Sequence, residues 1–308
     1  MSIAILFNQK DSSVWLDQLK EKLPHETIEV YPEIKNKDDV EFLVTWKPHV
    51  DYSKEFTNLK VVQSVGAGID HLLHTKLSDD IIVSRIVDPD LMQDMFEHVL
   101  TCVMGSMKNT LVYFKDQMQR RWEPKSYKAI NNTTITILGL GEIGLYVAQR
   151  LKTIGFNVNG WSSSLKSING ISTFSGENEL LESVKKSDFI VNLLPLTAQT
   201  QNILNYSLFQ ILNQTSVIIN VGRGGHLVED DLILALEQDL LKEAYLDVFN
   251  EEPLPEDHKF WSNPNIYITP HIASITNPFT AIDLVIDNYL RFQSEKELLH
   301  VVDLERGY

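Results

Sequence analysis

Three segments carry side chains that together could reduce a carbonyl. NVGRGG holds Arg223, LDVFNEEPLP holds Asp247 and Glu252, and ITPHIASIT holds His271. An arginine presents a planar fork that grips a carboxylate through two parallel hydrogen bonds. A histidine can give a proton to an alkoxide as it forms. A glutamate beside that histidine stabilises the imidazolium and fixes the orientation of the ring. This set suits hydride transfer to a 2-keto acid. Each segment follows a strand-like run, which places it at a strand C-terminus, where α/β sheets bind their ligands. Taken singly, the three residues also fit a surface-loop arginine, one more acid in an acidic loop and a structural histidine. Their order behind a glycine turn argues for the chemical reading.

A hydride needs a donor, and the glycine turn suggests one. The stretch ILGLGEIG contains Gly139, Gly141 and Gly144 in Gly-x-Gly-x-x-Gly spacing, after the β-rich TTITIL and before a helical pattern over Leu145 to Ile154. The first glycine makes a tight turn, the second lets a pyrophosphate approach the backbone, and the third lets helix and strand pack closely. Free N–H groups at the helix start then face the phosphates. An Asp or Glu usually ends the next strand and binds the ribose hydroxyls of NAD. Here Ser162 stands at that position, followed by Ser163, Ser164 and then Lys166. A carboxylate would repel a 2′-phosphate, whereas hydroxyls and an ammonium would hold it. The expected cofactor is therefore NADP(H), with NAD(H) possible, because a solvated serine-rich loop would tolerate either.

Elements must position these residues, and strand and helix patterns alternate along the whole chain. Strand-like runs are Ile3 to Phe7, Phe42 to Thr45, Val61 to Val65, Ile81 to Val83, Phe156 to Trp161, Asp188 to Leu194, Ser216 to Val221, Glu243 to Phe249 and Asn265 to Thr269. Helical patterns cover Ser12 to Leu23, Glu229 to Leu241 and Pro278 to Leu290, and one long pattern runs from Gln93 to about Gln119. Gly155 is placed to end the helix after the glycine turn. Such alternation predicts α/β architecture with parallel sheets covered by helices. The expected fold class is two Rossmann-like, doubly wound parallel-sheet domains. One is a flavodoxin-like substrate domain, residues 1–98 plus 275–308, and the other a dinucleotide-binding domain, residues 99–274. Asn131-Asn132 reads as a linker.

The composition narrows the function classes. The 308 residues suggest two domains, and an apolar fraction of 43% supports a sizeable core. A net charge of −15, from 42 acidic and 27 basic residues, argues against nucleic acid or an anionic membrane as partner. The single cysteine, Cys102, lies in an apolar run and reads as a buried, inert thiol. The opening MSIAILF lacks a basic stretch and a cleavage site, and no apolar run approaches membrane-spanning length. A cytoplasmic protein is expected.

The motifs VGAGID (Val65 to Asp70), ILGLGEIG, NLLPLTAQT (Asn192 to Thr200), NVGRGGHLVEDD, LDVFNEEPLP, ITPHIASIT and the tail VDLERGY resemble the D-isomer-specific 2-hydroxyacid dehydrogenases. The resemblance covers essentially the whole chain and is strongest to the bacterial glyoxylate/hydroxypyruvate reductase A group. It implies NAD(P)H-dependent reduction of glyoxylate to glycolate and hydroxypyruvate to D-glycerate. Arg223, Glu252 and His271 match the family's catalytic residues. Trp46, Ala67 and Gly68, with Arg223, match its substrate site. Its cofactor site is matched by Gly139, Gly141, Glu142, Ile143, Gly144, Trp161, Ser162, Ser163, Lys166, Leu194, Pro195, Thr200, Val221, Gly222, Asp247, His271, Ala273 and Ser274. Asp247 matches a residue that binds the nicotinamide carboxamide. The chain departs from the reductase A pattern in lacking arginines among the serines after Trp161. QRRWEP, with Trp122, resembles the family's dimerisation arm and implies a homodimer in which Trp122 reaches the partner's active site; a tryptophan buried in its own subunit is the alternative reading. The same resemblance leaves open a D-lactate-type dehydrogenase or a dinucleotide-sensing, corepressor-like binding protein.

Overall fold

The computed structural model describes residues 2–8, 11–72, 77, 78 and 80–304. The last four residues of the VDLERGY tail lie outside the described residues. Contacts divide the chain into two units, Met1–Leu91 with Thr276–Tyr308, and Met92–Ile275. The first division falls before residue 98 because Met95, Phe96 and Val99 are already core residues of the second unit.

The first unit contains β1 (Ser2–Phe7), α1 (Ser13–Lys22), β2 (Ile28–Val30), β3 (Val40–Trp46), α2 (Tyr52–Glu55), β4 (Val61–Ser64) and β5 (Ile82–Ser84). Its five strands are all parallel, in the order β2-β1-β3-β4-β5. This is the flavodoxin-like order, with its reversal between β1 and β3. Near-continuous burial of β1, β3 and β4 fits strands covered on both faces. The C-terminal segment returns to this unit. Its helix starts at Pro278, where a proline costs no hydrogen bond, and Asn277 caps it by accepting from the Phe279 N–H. Buried Asn288 on that helix donates to Gln63 Oε1 at 2.8 Å and Ser84 Oγ at 2.9 Å, and accepts from Leu299 N at 2.7 Å.

Helix α3 (Pro89–Met107) leads into the second unit, followed by α4 (Thr110–Met118). The single long helix expected to about Gln119 is broken at Asn109, whose φ of 53° is left-handed and which asparagine tolerates better than most residues. Then come β6 (Thr134–Leu138), α5 (Glu142–Ile154), β7 (Asn157–Ser162), β8 (Ser172–Ser175), α6 (Gly176–Val184), β9 (Phe189–Asn192), α7 (Tyr206–Phe209), β10 (Val217–Asn220), α8 (Glu229–Glu237), β11 (Glu243–Leu246) and β12 (Ile266–Ile268). The returning helix Pro278–Gln293 is α9. Asn131-Asn132 is not a free linker but part of a 3-10 turn, and the Asn131 carbonyl accepts from Asn157 Nδ2 at 2.9 Å.

All seven strands of this sheet are parallel, in the order β12-β11-β10-β9-β6-β7-β8. That is the dinucleotide-binding order extended by one strand, with the reversal between β6 and β9. Helix α3 supplies Val99, Cys102 and Val103 to the core beneath β6, β9 and β10. Burial, with a smaller contribution from the Asp247 charge, pushes the Cys102 thiol up to about 12, so the inert reading of this cysteine holds. Among the described residues, no helix is long and apolar enough to cross a membrane.

Candidate active site

The turn after β6 has the sterics that a dinucleotide cradle needs. Gly139 sits at φ 101°, and a Cβ there would meet the Leu193 carbonyl oxygen at 2.8 Å. A Cβ on Gly144 would stand 1.8 Å from the Gly139 carbonyl oxygen, so only glycine lets α5 pack this close. A Cβ on Gly141 would meet nothing within 4 Å, which is the open approach that a phosphate requires. Glu142 and Ile143 form the first turn of α5, whose orphan N–H groups suit an anion. Gly155 ends the helix at φ 108°. The turn therefore fits a bound dinucleotide.

Ser162 is the last residue of β7 and is buried, and its hydroxyl donates to Ser164 O at 2.8 Å. Ser163 and Ser164 are exposed. Lys166 Nζ donates to the Leu140 carbonyl at 2.6 Å, so the one cation of this loop is already drawn to the glycine turn. Trp161 is a core residue, and its indole N–H is held by Gly176 O at 2.8 Å. Leu194 is also core, while Thr200 Oγ1 donates to Pro195 O at 2.6 Å and fixes the loop after β9. Val221 is buried, and Gly222 has no room for a Cβ.

His271, Glu252 and Arg223 all follow strands of this sheet. His271 Nδ1 lies 2.8 Å from Glu252 Oε2, and Glu252 Oε1 accepts from Phe249 N at 3.1 Å. A carboxylate can only accept, so Nδ1 carries the proton and Nε2 is left for other partners. Arg223 is half-buried, and its Nη1 donates to Gly222 O at 2.8 Å.

His271 has a left-handed backbone, φ 54°. Such a conformation persists where its surroundings over-determine it. Asp247 does this. Its buried carboxylate accepts from Thr269 Oγ1 at 2.6 Å and Ile272 N at 2.9 Å through Oδ1, and from Ala273 N at 2.9 Å through Oδ2. The Asp247 carbonyl accepts the His271 N–H at 2.9 Å. Asp247, expected to meet the cofactor, thus first holds the loop that carries the histidine. Ala273 is buried at the end of this loop and Ser274 follows half-buried. The role of Thr269 was not foreseen, although a hydroxyl beside a Pro-His pair is a visible signal.

In the first unit, Trp46 ends β3 beside the order reversal. Its ring lies against Gly66, where a Cβ would stand 2.1 Å from Cζ3, and packs on His71 with centroids 4.7 Å apart. Ala67 and Gly68 follow in the same loop, and Ala67 O accepts from Arg85 Nη1 at 3.3 Å.

Two parallel sheets of these orders, a glycine turn at the second reversal and a His–Glu pair beyond its strands define a dinucleotide-dependent oxidoreductase. Residues 100–273 match the family model "D-isomer specific 2-hydroxyacid dehydrogenase, NAD binding domain". The chain belongs to the D-isomer specific 2-hydroxyacid dehydrogenase family. It is 36% identical over 304 residues to a glyoxylate/hydroxypyruvate reductase A of Yersinia enterocolitica, covering 97% of each chain. It is 37% identical over 300 residues to that of Serratia proteamaculans, covering 96% of each. Among solved structures it resembles an NADPH-dependent glyoxylate/hydroxypyruvate reductase from Sinorhizobium meliloti in complex with NADP and sulfate. That similarity has a TM-score of 0.92 at 33% identity and covers 100% of both chains. A Xanthobacter autotrophicus family member in complex with NADPH and MES gives a TM-score of 0.95 at 31% identity, covering 100% of this chain and 99% of the other.

The Asp247 clamp makes a prediction that needs no substrate. Asp247→Asn turns one acceptor oxygen into a donor that faces either the Ala273 N–H or the Ile272 N–H together with the Thr269 hydroxyl. Amide exchange at Ile272 and Ala273 should quicken by on the order of tenfold or more, because losing one such bond is worth about 1–3 kcal/mol. Unchanged protection of both amides would show that the clamp does not hold the loop.

Proposed function

We propose that this protein reduces glyoxylate and hydroxypyruvate, to glycolate and D-glycerate, with NADPH. The observation that carries the reading is the His271–Glu252 pair at 2.8 Å, with Glu252 itself held by the Phe249 N–H. The near full-length similarity to reductases of that name supports the substrate class. NADPH, bound at the glycine turn, supplies the hydride. Arg223 grips the keto-acid carboxylate with its fork, which orients the neighbouring carbonyl. His271 gives the proton on Nε2 to the carbonyl oxygen as it becomes an alkoxide. Glu252 holds the ring by Nδ1 and stabilises its cationic form. Ser163 and Ser164 are the exposed hydroxyl donors for a 2′-phosphate, and Lys166 adds the positive charge.

The protein acts, in this reading, as a cytoplasmic homodimer. Trp122 is 96% exposed rather than buried in its own subunit, and Met118 and Phe114 on α4 are exposed nearby in sequence. Apolar side chains left in water in one segment suit a surface that a second copy covers.

Three outcomes are expected. His271→Ala should lower kcat on glyoxylate and hydroxypyruvate by a factor on the order of 10² to 10⁴ while NADPH still binds, Glu252→Gln should cost less, and Arg223→Lys should chiefly raise the KM of the keto acid. A near wild-type kcat for His271→Ala on every 2-keto acid tried would reject the acid assignment. In cofactor competition, NADPH should exceed NADH in kcat/KM, and Ser162→Asp should shift the balance toward NADH; equal use by the wild type would remove the case for selection by this loop. Light scattering at assay concentration should report a dimer, and a monomer would refute the assembly.

A further inference from the structure

The segment NVGRGGHLVEDD gives Arg223 a task and leaves His226 without one. The structure buries His226 completely, three residues after the arginine. Nδ1 lies 3.1 Å from the Arg223 N–H nitrogen and 2.9 Å from Asn192 Nδ2, while Nε2 lies 3.2 Å from Pro195 O. The tautomer follows from two partners that cannot change roles. A backbone N–H only donates, so Nδ1 must accept from Arg223. A carbonyl only accepts, so Nε2 must carry the proton and donate to Pro195. The ring is therefore a neutral bridge, accepting on the arginine side and donating on the side of the loop after β9.

The surroundings make the bridge rigid. Asn220 Nδ2 donates to Arg223 O at 3.1 Å, so a buried amide and a buried imidazole grip the main chain of Arg223 from both ends of the residue. Asn192 Nδ2 donates to Asn220 Oδ1 at 2.8 Å and links the two. A Cβ on Gly222 would stand 2.9 Å from Asn192 Nδ2 and 3.1 Å from His226 Nδ1, so the backbone packs directly against this network. On the other side, Pro195 O also receives Thr200 Oγ1 at 2.6 Å. The two segments are zipped by Asn202 N to Gly225 O at 2.9 Å and Leu204 N to His226 O at 2.8 Å. An apolar side chain would fill a buried position without any such requirement, whereas a fully bonded polar network selects one geometry.

We propose that His226 is a positioning residue that sets Arg223 through Nδ1 and sets the Pro195–Thr200 loop through Nε2. Fully buried, it acts through Arg223 and Pro195 rather than on a ligand itself. The inference rests on the reading of Arg223 as the carboxylate fork and of Pro195 as part of the cofactor border. Its consequence is that the two ring nitrogens serve two different ligands.

Amide side chains separate the two nitrogens. His226→Asn places an acceptor near Nδ1 and nothing near Nε2; His226→Gln places a donor near Nε2 and nothing near Nδ1. Glyoxylate KM is measured at saturating NADPH, and NADPH Kd by cofactor fluorescence without substrate. His226→Gln should raise the KM by on the order of tenfold, as loss of a buried partner implies, and leave the Kd within about twofold. His226→Asn should do the reverse, weakening NADPH by several-fold and keeping the KM within about threefold. A generic packing role would move both constants alike in both variants, and that result, or no change in either, overturns the proposal. Should His226→Gln fail to fold, Asn220→Asp keeps acceptors for its neighbours but cannot donate to Arg223 O, and it carries the same expected KM rise. Arg223→Gln is the control for the underlying reading. If it leaves KM unchanged, the fork assignment falls and the proposal with it; if it raises KM and neither positioning variant does, the proposal alone falls.

Discussion

One buried carboxylate organises the loop that carries His271. Asp247, immediately after β11, receives the Thr269 hydroxyl and two backbone N–H groups of the loop after β12, and its carbonyl receives the N–H of His271. A buried carboxylate is costly unless its lone pairs are filled, and here three donors from one loop fill them. The same bonds keep His271 in the left-handed backbone region, which residues other than glycine seldom occupy. With the backbone fixed, the Glu252 contact needs only to set the ring. Removing the clamp would leave the His–Glu pair with the right residues on an undetermined loop.

The parallel sheet explains why the other groups converge. All seven strands of the second unit run the same way, so every strand ends at one edge. Ser162 is the last residue of β7, and Gly139 to Gly144, Pro195, Arg223, Asp247 and His271 lie beyond the ends of β6, β9, β10, β11 and β12 respectively. Two kinds of device then fix positions along that edge. Glycines permit close approach, as at Gly144 and Gly222, where a Cβ would collide. Buried polar side chains fix loops from beneath, as Asp247 does for His271 and the Asn192, Asn220 and His226 network does for Arg223.

The strands and the glycine turn were legible because their signals are local. TTITIL and SVIINV read as strands from β-branched runs alone, and Gly139 and Gly144 of the turn stand where a Cβ would collide with backbone. Arg223, Glu252 and His271 stood out by residue type as a proposed chemical set, and of these the structure pairs His271 with Glu252. What was not legible depended on tertiary context. The strands β2 and β8 are three and four residues long and carry too little pattern to stand out. The break at Asn109 is a single left-handed residue inside a helical pattern. Buried polar partners such as Thr269, Asn220 and His226 look like ordinary loop residues until the strands bring their acceptors and donors together. In the cofactor loop, Ser162 and Lys166 each bond within their own unit, which residue type alone does not reveal.

The central claim is that His271 is the proton donor and Arg223 the carboxylate fork at one keto acid. A crystal structure with NADPH and oxamate, a stable mimic of a small 2-keto acid, tests it most directly. The account predicts His271 Nε2 within about 2.6–3.2 Å of the oxygen that stands for the keto group, with both oxygens of the carboxylate on the Arg223 guanidinium. An oxamate bound with its carboxylate away from Arg223, or with another side chain on the keto-like oxygen, would contradict it.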